Sequence, residues 1–111
     1  MNVIGDVQGK VAILVDDMID TAGTICAAAE VLLQNGAAEV RACATHGVLS
    51  GPACQRLTDA PFEEVVITDT IPLGDREGKC DKLHVASVAG ILAKSIRNIH
   101  DGSSVSALFH F

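Results

Sequence analysis

Apolar residues in this chain keep two rhythms, and the change from one to the other marks its elements. Val11-Ala-Ile-Leu-Val15 runs without alternation and stops at Asp16 and Asp17. An unbroken apolar run of this length reads as a strand buried on both faces, as in a parallel sheet covered by helices. Beyond a short polar loop the spacing changes. Ile25, Ala28, Ala29, Leu32 and Leu33 recur at i, i+3, i+4, i+7 and i+8, which predicts a helix from Gly23 to Gln34 with one apolar face. Asn35-Gly36 ends it with a residue suited to the left-handed position after a helix. Glu39 to Thr45 reads as a second strand and Glu64 to Thr68 as a third, which ends, like the first, in an acid, Asp69. Between them Pro52 opens a short helix, Ala53 to Leu57, and Pro61 closes that segment. Leu83 to Ala86 is a short fourth strand. The last helix, Ser87 to about His100, carries Val88, Ile91, Leu92, Ile96 and Ile99 on one face and stops at Asp101-Gly102. Gly5 to Gly9 is a turn that launches the first strand, Thr70 to Asp81 a polar connection, and Ser103 to Phe111 a tail.

Strand and helix patterns in the order β-α-β-α-β-β-α point to the α/β class. The expected architecture is a three-layer, doubly wound, mainly parallel sheet in a single domain over residues 1–111, with the first strand and its loop in the centre. The domain is expected to be incomplete, because nothing precedes the first strand to cover the other side of the sheet. At 111 residues, 49% hydrophobic and 20% charged, the chain has room for one modest core and is not disordered. Three Phe and no Trp or Tyr make that core aliphatic. A net charge of −6 argues against non-specific binding to nucleic acid or to an anionic membrane surface. No stretch reaches the roughly 18 apolar residues that span a bilayer, and Met1 to Asp6 does not read as a signal peptide, so a cytoplasmic protein is expected. Cys26, Cys43, Cys54 and Cys80 form no Cys-x-x-Cys pair and no metal spacing with the histidines. They read as thiols in a reducing compartment, with Cys26 and Cys43 as small core residues; neither a disulfide nor a zinc site is expected.

The loop after the first strand concentrates the chemistry, at the strand end where open α/β sheets bind ligands. Thr21, Ala22, Gly23 and Thr24 sit where a helix offers unpaired N–H groups and the positive end of its dipole. Their small side chains let an anion approach the backbone, and the two hydroxyls can donate as well. A phosphate is the natural guest. Asp16 and Asp17 would repel a bare phosphate, so they are expected to accept hydrogen bonds from sugar hydroxyls or to hold a divalent cation with water and substrate oxygens. Phosphate recognition has no basic patch to draw on and must use backbone dipoles and metal. A phosphorylated sugar with Mg²⁺ suits the loop.

Other patterns lead nowhere. Asp20-Thr-Ala-Gly23 also occurs in small GTPases, but the phosphate-binding G-x-x-x-x-G-K-[ST] loop those proteins need is absent. Gly47-Val-Leu-Ser-Gly51 is not a nucleophile elbow, and no G-x-G-x-x-G is present. A response-regulator receiver also carries acids at a strand end, but its logic leaves Thr21 to Thr24 unexplained. His46 ends the second strand and could reach a substrate, although it reads as an ordinary buried or solvated histidine; His84, His100 and His110 carry no pattern.

Val15-Asp-Asp-Met-Ile-Asp-Thr-Ala-Gly-Thr24 resembles the phosphoribosyl pyrophosphate-binding signature of the type I phosphoribosyltransferase fold. Further stretches narrow the resemblance to the ribose-phosphate diphosphokinases, or phosphoribosyl pyrophosphate synthetases. They are Gly5 to Leu14, Ala44-Thr-His-Gly-Val-Leu-Ser-Gly-Pro52, Val65-Val-Ile-Thr-Asp-Thr-Ile-Pro72 and Ser104-Val-Ser-Ala-Leu-Phe109. The resemblance runs from Val3 to Phe109. It implies transfer of the diphosphoryl group of ATP to the C1 hydroxyl of ribose 5-phosphate, with Mg²⁺, giving phosphoribosyl pyrophosphate for nucleotide biosynthesis. Carried over by position, Asp16 and Asp17 face the ribose 2- and 3-hydroxyls and the associated metal. Asp20, Thr21, Ala22, Gly23 and Thr24 cradle the 5-phosphate. Ser104, Val105 and Ser106 would belong to a regulatory site for phosphate or ADP at a subunit interface of a homo-oligomeric full-length enzyme. No catalytic residue is assigned in this chain.

The chain resembles only the last third of such enzymes. The N-terminal domain, which supplies much of the ATP site, is missing, and so is the basic flexible loop upstream of Gly5. The expectation is therefore weak binding of ribose 5-phosphate, if any, and no turnover by this chain alone. Thr68-Asp69-Thr70 also departs from the Asn that many relatives carry at the middle position. Two alternatives remain: a non-catalytic ribose-phosphate-binding regulatory module, whose mark would be a damaged loop, and a phosphoribosyltransferase, whose nucleobase hood has no obvious room here.

Overall fold

Strand pairing follows the order of the sequence. In the computed structural model, which describes residues 2–109, β1 (Val11–Ile19), β2 (Glu39–Gly47), β3 (Phe62–Thr68) and β4 (Leu83–Ala86) form one parallel sheet in the order β1-β2-β3-β4. Three helices, α1 (Gly23–Gln34), α2 (Ala53–Asp59) and α3 (Ala89–Asp101), alternate with the strands, and short 3-10 turns cover Gly74–Arg76 and Ser106–Phe109. This is the α/β class read from the sequence. Met1, and the end of the expected tail at His110 and Phe111, lie outside the described residues.

The core lies on one face of the sheet. Ile25 and Ala29 of α1 and Ala53 and Leu57 of α2 join Val40, Ala42 and Ala44 of β2 and Val65 and Ile67 of β3 in a single buried cluster. Alanine at 29, 42, 44 and 53 lets the helix backbones lie close on the strands, so β-branched and leucine side chains fill the space between. Where α1 ends, Gly36 adopts φ +96°, its N–H reaches the Leu33 carbonyl and the Ala37 N–H reaches Leu32. This is the left-handed helix stop expected of Asn35-Gly36. A Cβ there would also stand 2.0 Å from the Gln8 Oε1, so a larger residue would make that side chain swing aside.

Three expectations change. First, β1 is an edge strand, not the central one. Second, its unbroken apolar run is not buried on both faces: Val11, Ile13 and Val15 are 52, 62 and 77% exposed. The pairings Val15–Cys43, Cys43–Val66 and Val66–His84 place one row of side chains across this open face. Arg41 stands on the same face, donating to Glu39 at 2.7 Å and to Glu64 at 2.5 Å. An apolar run reports that a strand can be covered twice; it cannot say what covers it. The expected amphipathic last helix forms as α3, but none of its residues is buried, and Leu92, Ile96 and Ile99 are exposed. It extends the molecule to a radius of gyration of 16.6 Å, against about 13 Å for a compact chain of this length. Among the described residues no helix is long and apolar enough to cross a membrane.

The third change concerns the cysteines. Cys54, in α2, and Cys80, before β4, are disulfide-bonded, while Cys26 and Cys43 remain half-buried thiols. Sequence spacing did not bring the pair together; the parallel return of the chain from β3 to β4 does. A 26-residue separation corresponds to about 3 kcal/mol of stabilisation in the chain-entropy description of a cross-link. Thiol titration of the denatured, unreduced chain should therefore count two free thiols, and Cys54→Ser should lower the unfolding free energy by about 3 kcal/mol. Four thiols before reduction would overturn the pairing.

Candidate functional site

β1 continues through Ile19, so Asp16 and Asp17 lie within the strand and only Asp20, Thr21 and Ala22 bridge it to α1. Alternation along a strand sends successive side chains to opposite faces. Asp16 lines a cleft of about 250 Å³ together with Met18, Ile19, Asp20, Thr21, Ala22, Gly23, Thr24 and Ile25; Asp17 does not. The Asp17 N–H donates to Asp16 Oδ1 at 2.8 Å, which fixes the Asp16 carboxylate at the strand end. The sequence thus foresaw one cleft, and six of its seven loop residues share it. Asp17 points away.

The floor of the cleft is the start of α1. Ala22 is its N-cap and adopts a left-handed backbone, φ 68° and ψ 6°, while 5% exposed. That conformation costs a non-glycine residue roughly 1–2 kcal/mol, and it persists only where neighbours over-determine it. No side chain caps the helix, so the first-turn amides are left to solvent or to a ligand. Gly23 is held by close approach: a Cβ there would lie 3.2 Å from Arg56 Nη1.

Two arginines that the sequence reading passed over brace the loop. Arg56 of α2 donates from Nη1 to the Thr21 carbonyl at 3.1 Å. Arg76, in the connection before β4, donates to the carbonyls of Leu73 at 2.9 Å, Leu49 at 3.3 Å and Pro72 at 3.1 Å, and also to that of Val48. The turn it grips carries the N–H groups of Val48 and Leu49, both 3.0 Å from the Ile19 carbonyl, and of Ser50, 2.9 Å from that of Asp20. Leu49 is itself left-handed, φ 54°, and 2% exposed. Nothing in the spacing of Arg56 and Arg76 marks them; only the fold brings them to these carbonyls.

Elsewhere at the strand ends the polar residues bond among themselves. His46 Nδ1 lies 2.7 Å from Thr70 Oγ1, and Thr68 Oγ1 donates to the Thr45 carbonyl at 2.6 Å. Asp69, the acid that ends β3, is not a counterpart of Asp16. It receives the Val88 N–H at 2.9 Å and the Ser87 hydroxyl at 2.7 Å, tying the start of α3 to the sheet. Those two bonds, that to Val88 first, hold its carboxyl below the usual range.

Ser104, Val105 and Ser106 are not brought to the cleft. They lie beyond the far end of α3, a helix about 20 Å long, with Ser104 Oγ 2.9 Å from Ser106 Oγ and the Ser104 carbonyl accepting from Asn98 Nδ2 at 2.9 Å. Nor is there a protein cage for a metal: no group of three or more His, Cys, Asp or Glu could hold one among the described residues. Asp16 and Asp17 as a donor set fit only an ion that keeps most of its shell as water and ligand oxygens, which is the habit of Mg²⁺.

Residues 1–110 match the family described as phosphoribosyl synthetase-associated domain. The chain belongs to that family. It is 65% identical over 109 residues to a ribose-phosphate pyrophosphokinase from Caldanaerobacter subterraneus subsp. tengcongensis, an alignment covering 98% of this chain and 34% of the relative. The protein of the same name from Aquifex aeolicus is 52% identical over 109 residues, with the same coverage. The crystal structure of phosphoribosylpyrophosphate synthetase from Mycobacterium smegmatis superposes with a TM-score of 0.84 at 46% identity, over 90% of this chain and 33% of that one. The chain of this family member thus spans about a third of the length of these relatives.

The capping role of Asp69 makes a pH prediction. A carboxyl whose folded pKa is depressed adds stability above its unfolded pKa, near 3.8 here, and loses it as pH falls through the lower folded value. Parent and Asp69→Asn should therefore differ in unfolding free energy by a constant amount near neutral pH. The gap should close only below about pH 3.8, as urea titrations across that range would show. A gap that already closes between pH 6 and 5 would exclude this role.

Proposed function

We propose that this chain is the ribose 5-phosphate-binding part of a ribose-phosphate diphosphokinase, corresponding to its C-terminal third. In the complete enzyme the C1 hydroxyl of ribose 5-phosphate takes the diphosphoryl group of ATP, forming phosphoribosyl pyrophosphate and releasing AMP. The observation that carries this reading is a single cleft that joins Asp16 to an uncapped helix start at Ala22-Gly23-Thr24. It occurs in a chain whose relatives bear the name ribose-phosphate pyrophosphokinase along 98% of its length.

In this reading the amides of the first turn and the Thr21 and Thr24 hydroxyls receive the 5-phosphate, with Asp20 at the mouth of the loop. Phosphate oxygens lie along the helix axis, where the N–H groups and the dipole add. Asp16 accepts from the ribose hydroxyls, and Asp17 from the other side of the strand shares in holding Mg²⁺ through water. When bound, Mg²⁺ neutralises charge on the phosphate oxygens of the reactants. Ser104, Val105 and Ser106 would serve a regulatory phosphate or ADP site only against another subunit, since they stand apart from the cleft. No lysine or arginine lines that cleft. Phosphoryl transfer needs charge stabilisation over the transferred group, so the chain alone should bind without turning over.

A non-catalytic module is the second reading, favoured by the word "associated" in the family's description. The unbroken Asp16-to-Thr24 loop weighs towards an enzyme. AMP release from ATP, ribose 5-phosphate and Mg²⁺ should be absent for the isolated chain; robust turnover would refute the incomplete-site argument. For the loop itself, amide NMR titration with ribose 5-phosphate should give millimolar affinity centred on residues 20–24. Asp16→Ala and Thr24→Ala should each weaken it about tenfold, as expected for a lost charge-assisted bond. Parent-like affinity in both variants would remove the site assignment.

A further inference from the structure

Arg56 touches the phosphate loop from behind. Its guanidinium lines a second cleft of about 410 Å³ with Gly23, Cys26, Ala27, Glu30, Asp59 and Ala60, and Gly23 is common to both clefts. The loop is thus a thin wall with the arginine on one side and the first cleft on the other. 

A trans peptide is planar, so its C=O and N–H point in opposite directions. Arg56 Nη1 holds the Thr21 carbonyl at 3.1 Å, and no peptide among the described residues is cis. The Ala22 N–H, on the other side of that same peptide, therefore points away from Arg56, and Ala22 itself lines the first cleft. It makes no bond to another backbone group outside the regular elements. Turning this peptide over would break the bond to Arg56 and withdraw the donor. The close approach at Gly23, where a Cβ would be 3.2 Å from the same Nη1, shows how little room the arrangement leaves. The arginine also sets a fixed positive charge behind a cleft whose own ionisable side chains, Asp16 and Asp20, are acids.

We infer that Arg56 is a positioning residue for anion binding: by holding the Thr21 carbonyl it aims the Ala22 N–H at the phosphate of a phosphorylated sugar. The inference rests on the phosphate-loop reading above and adds the residue that sets the loop's donor geometry. Arg56 does not touch the ligand.

The test is amide NMR titration of the full chain with ribose 5-phosphate, and separately with inorganic phosphate, for parent, Arg56→Gln, Arg56→Lys and the Ala22→Gly/Arg56→Gln double variant. Thermal unfolding serves as the control for folding. Arg56→Gln should weaken both ligands about tenfold, equal to about 1.4 kcal/mol, and should abolish the ligand-induced shift of the Ala22 amide. Lysine, which keeps one donor and the charge, should recover part of the affinity. Glycine at 22, which adopts the left-handed backbone freely, should also recover part of it in the double variant. A merely structural role would lower the melting temperature without removing the Ala22 shift selectively. Parent-like affinity and an unchanged Ala22 shift in Arg56→Gln would overturn the inference. If the parent itself shows no affinity for either ligand, the phosphate-loop reading fails instead.

Discussion

The carbonyl of Ile19 accepts two backbone N–H groups, from Val48 and Leu49, and the rest of the cleft is built on that pair of bonds. They join the end of β1 to the end of β2 and oblige the chain to turn sharply after each strand. Leu49 meets the demand with a left-handed backbone buried in the core, and Ala22, in the cleft wall, adopts one as well. Each is held by an arginine that reaches a neighbouring carbonyl, Arg76 for Leu49 and Arg56 for Thr21, the residue before Ala22. The strain is local and the clamps come from distant sequence, so the cleft acquires its shape only when the whole sheet has formed.

Most of the elements were legible because local chemistry decides them. α1 ends at Gln34 because Gly36 turns left-handed without steric cost, and β4 is short because four residues separate two polar stretches. The grouping of Asp16 and Asp20 to Thr24 was legible as well, since the run from strand to helix brings them to one cleft. What the sequence did not carry was position in the sheet. A run such as Val11 to Val15 looks the same whether its strand is central or at an edge, and only pairing decides which. The Cys54–Cys80 bond and the two arginine clamps were hidden for a related reason: each joins residues whose separation along the chain, 26 to 35, has no local signature. The placing of Asp17 shows the same limit on a smaller scale. Reading Asp16-Asp17 as loop treated the carboxylates as a pair, whereas a strand divides neighbours between its faces.

The open sheet face and the bare stripe of α3 follow from one principle. Parallel sheets survive in water when both faces are covered, and here only the face with α1 and α2 is. Val11, Ile13 and Val15 stand exposed beside a charged Glu39–Arg41–Glu64 cluster that keeps the centre of the face polar. The relatives of this chain are about three times its length. The uncovered surfaces therefore belong to the same account as the cleft, in which binding groups are present and a basic clamp is not.

The proposed phosphate site in a chain of net charge −6 is a contradiction only if charge is counted globally. Screening limits the reach of exposed carboxylates to about 8–10 Å, whereas the amides of a helix start act on an anion in direct contact, at full strength and without rearrangement. Such a site would favour the ground-state phosphate, and in the proposed reading Asp16 would hold the sugar in register. It gives little help to charge that develops further out along a transferring diphosphoryl group, because its dipoles all point at one place. In that reading the cleft would hold one reactant well oriented while leaving the barrier to reaction nearly untouched. On the proposed reading binding and turnover would separate, because the donors that serve the first are backbone groups fixed by the fold, and the charges that serve the second must come from outside the cleft.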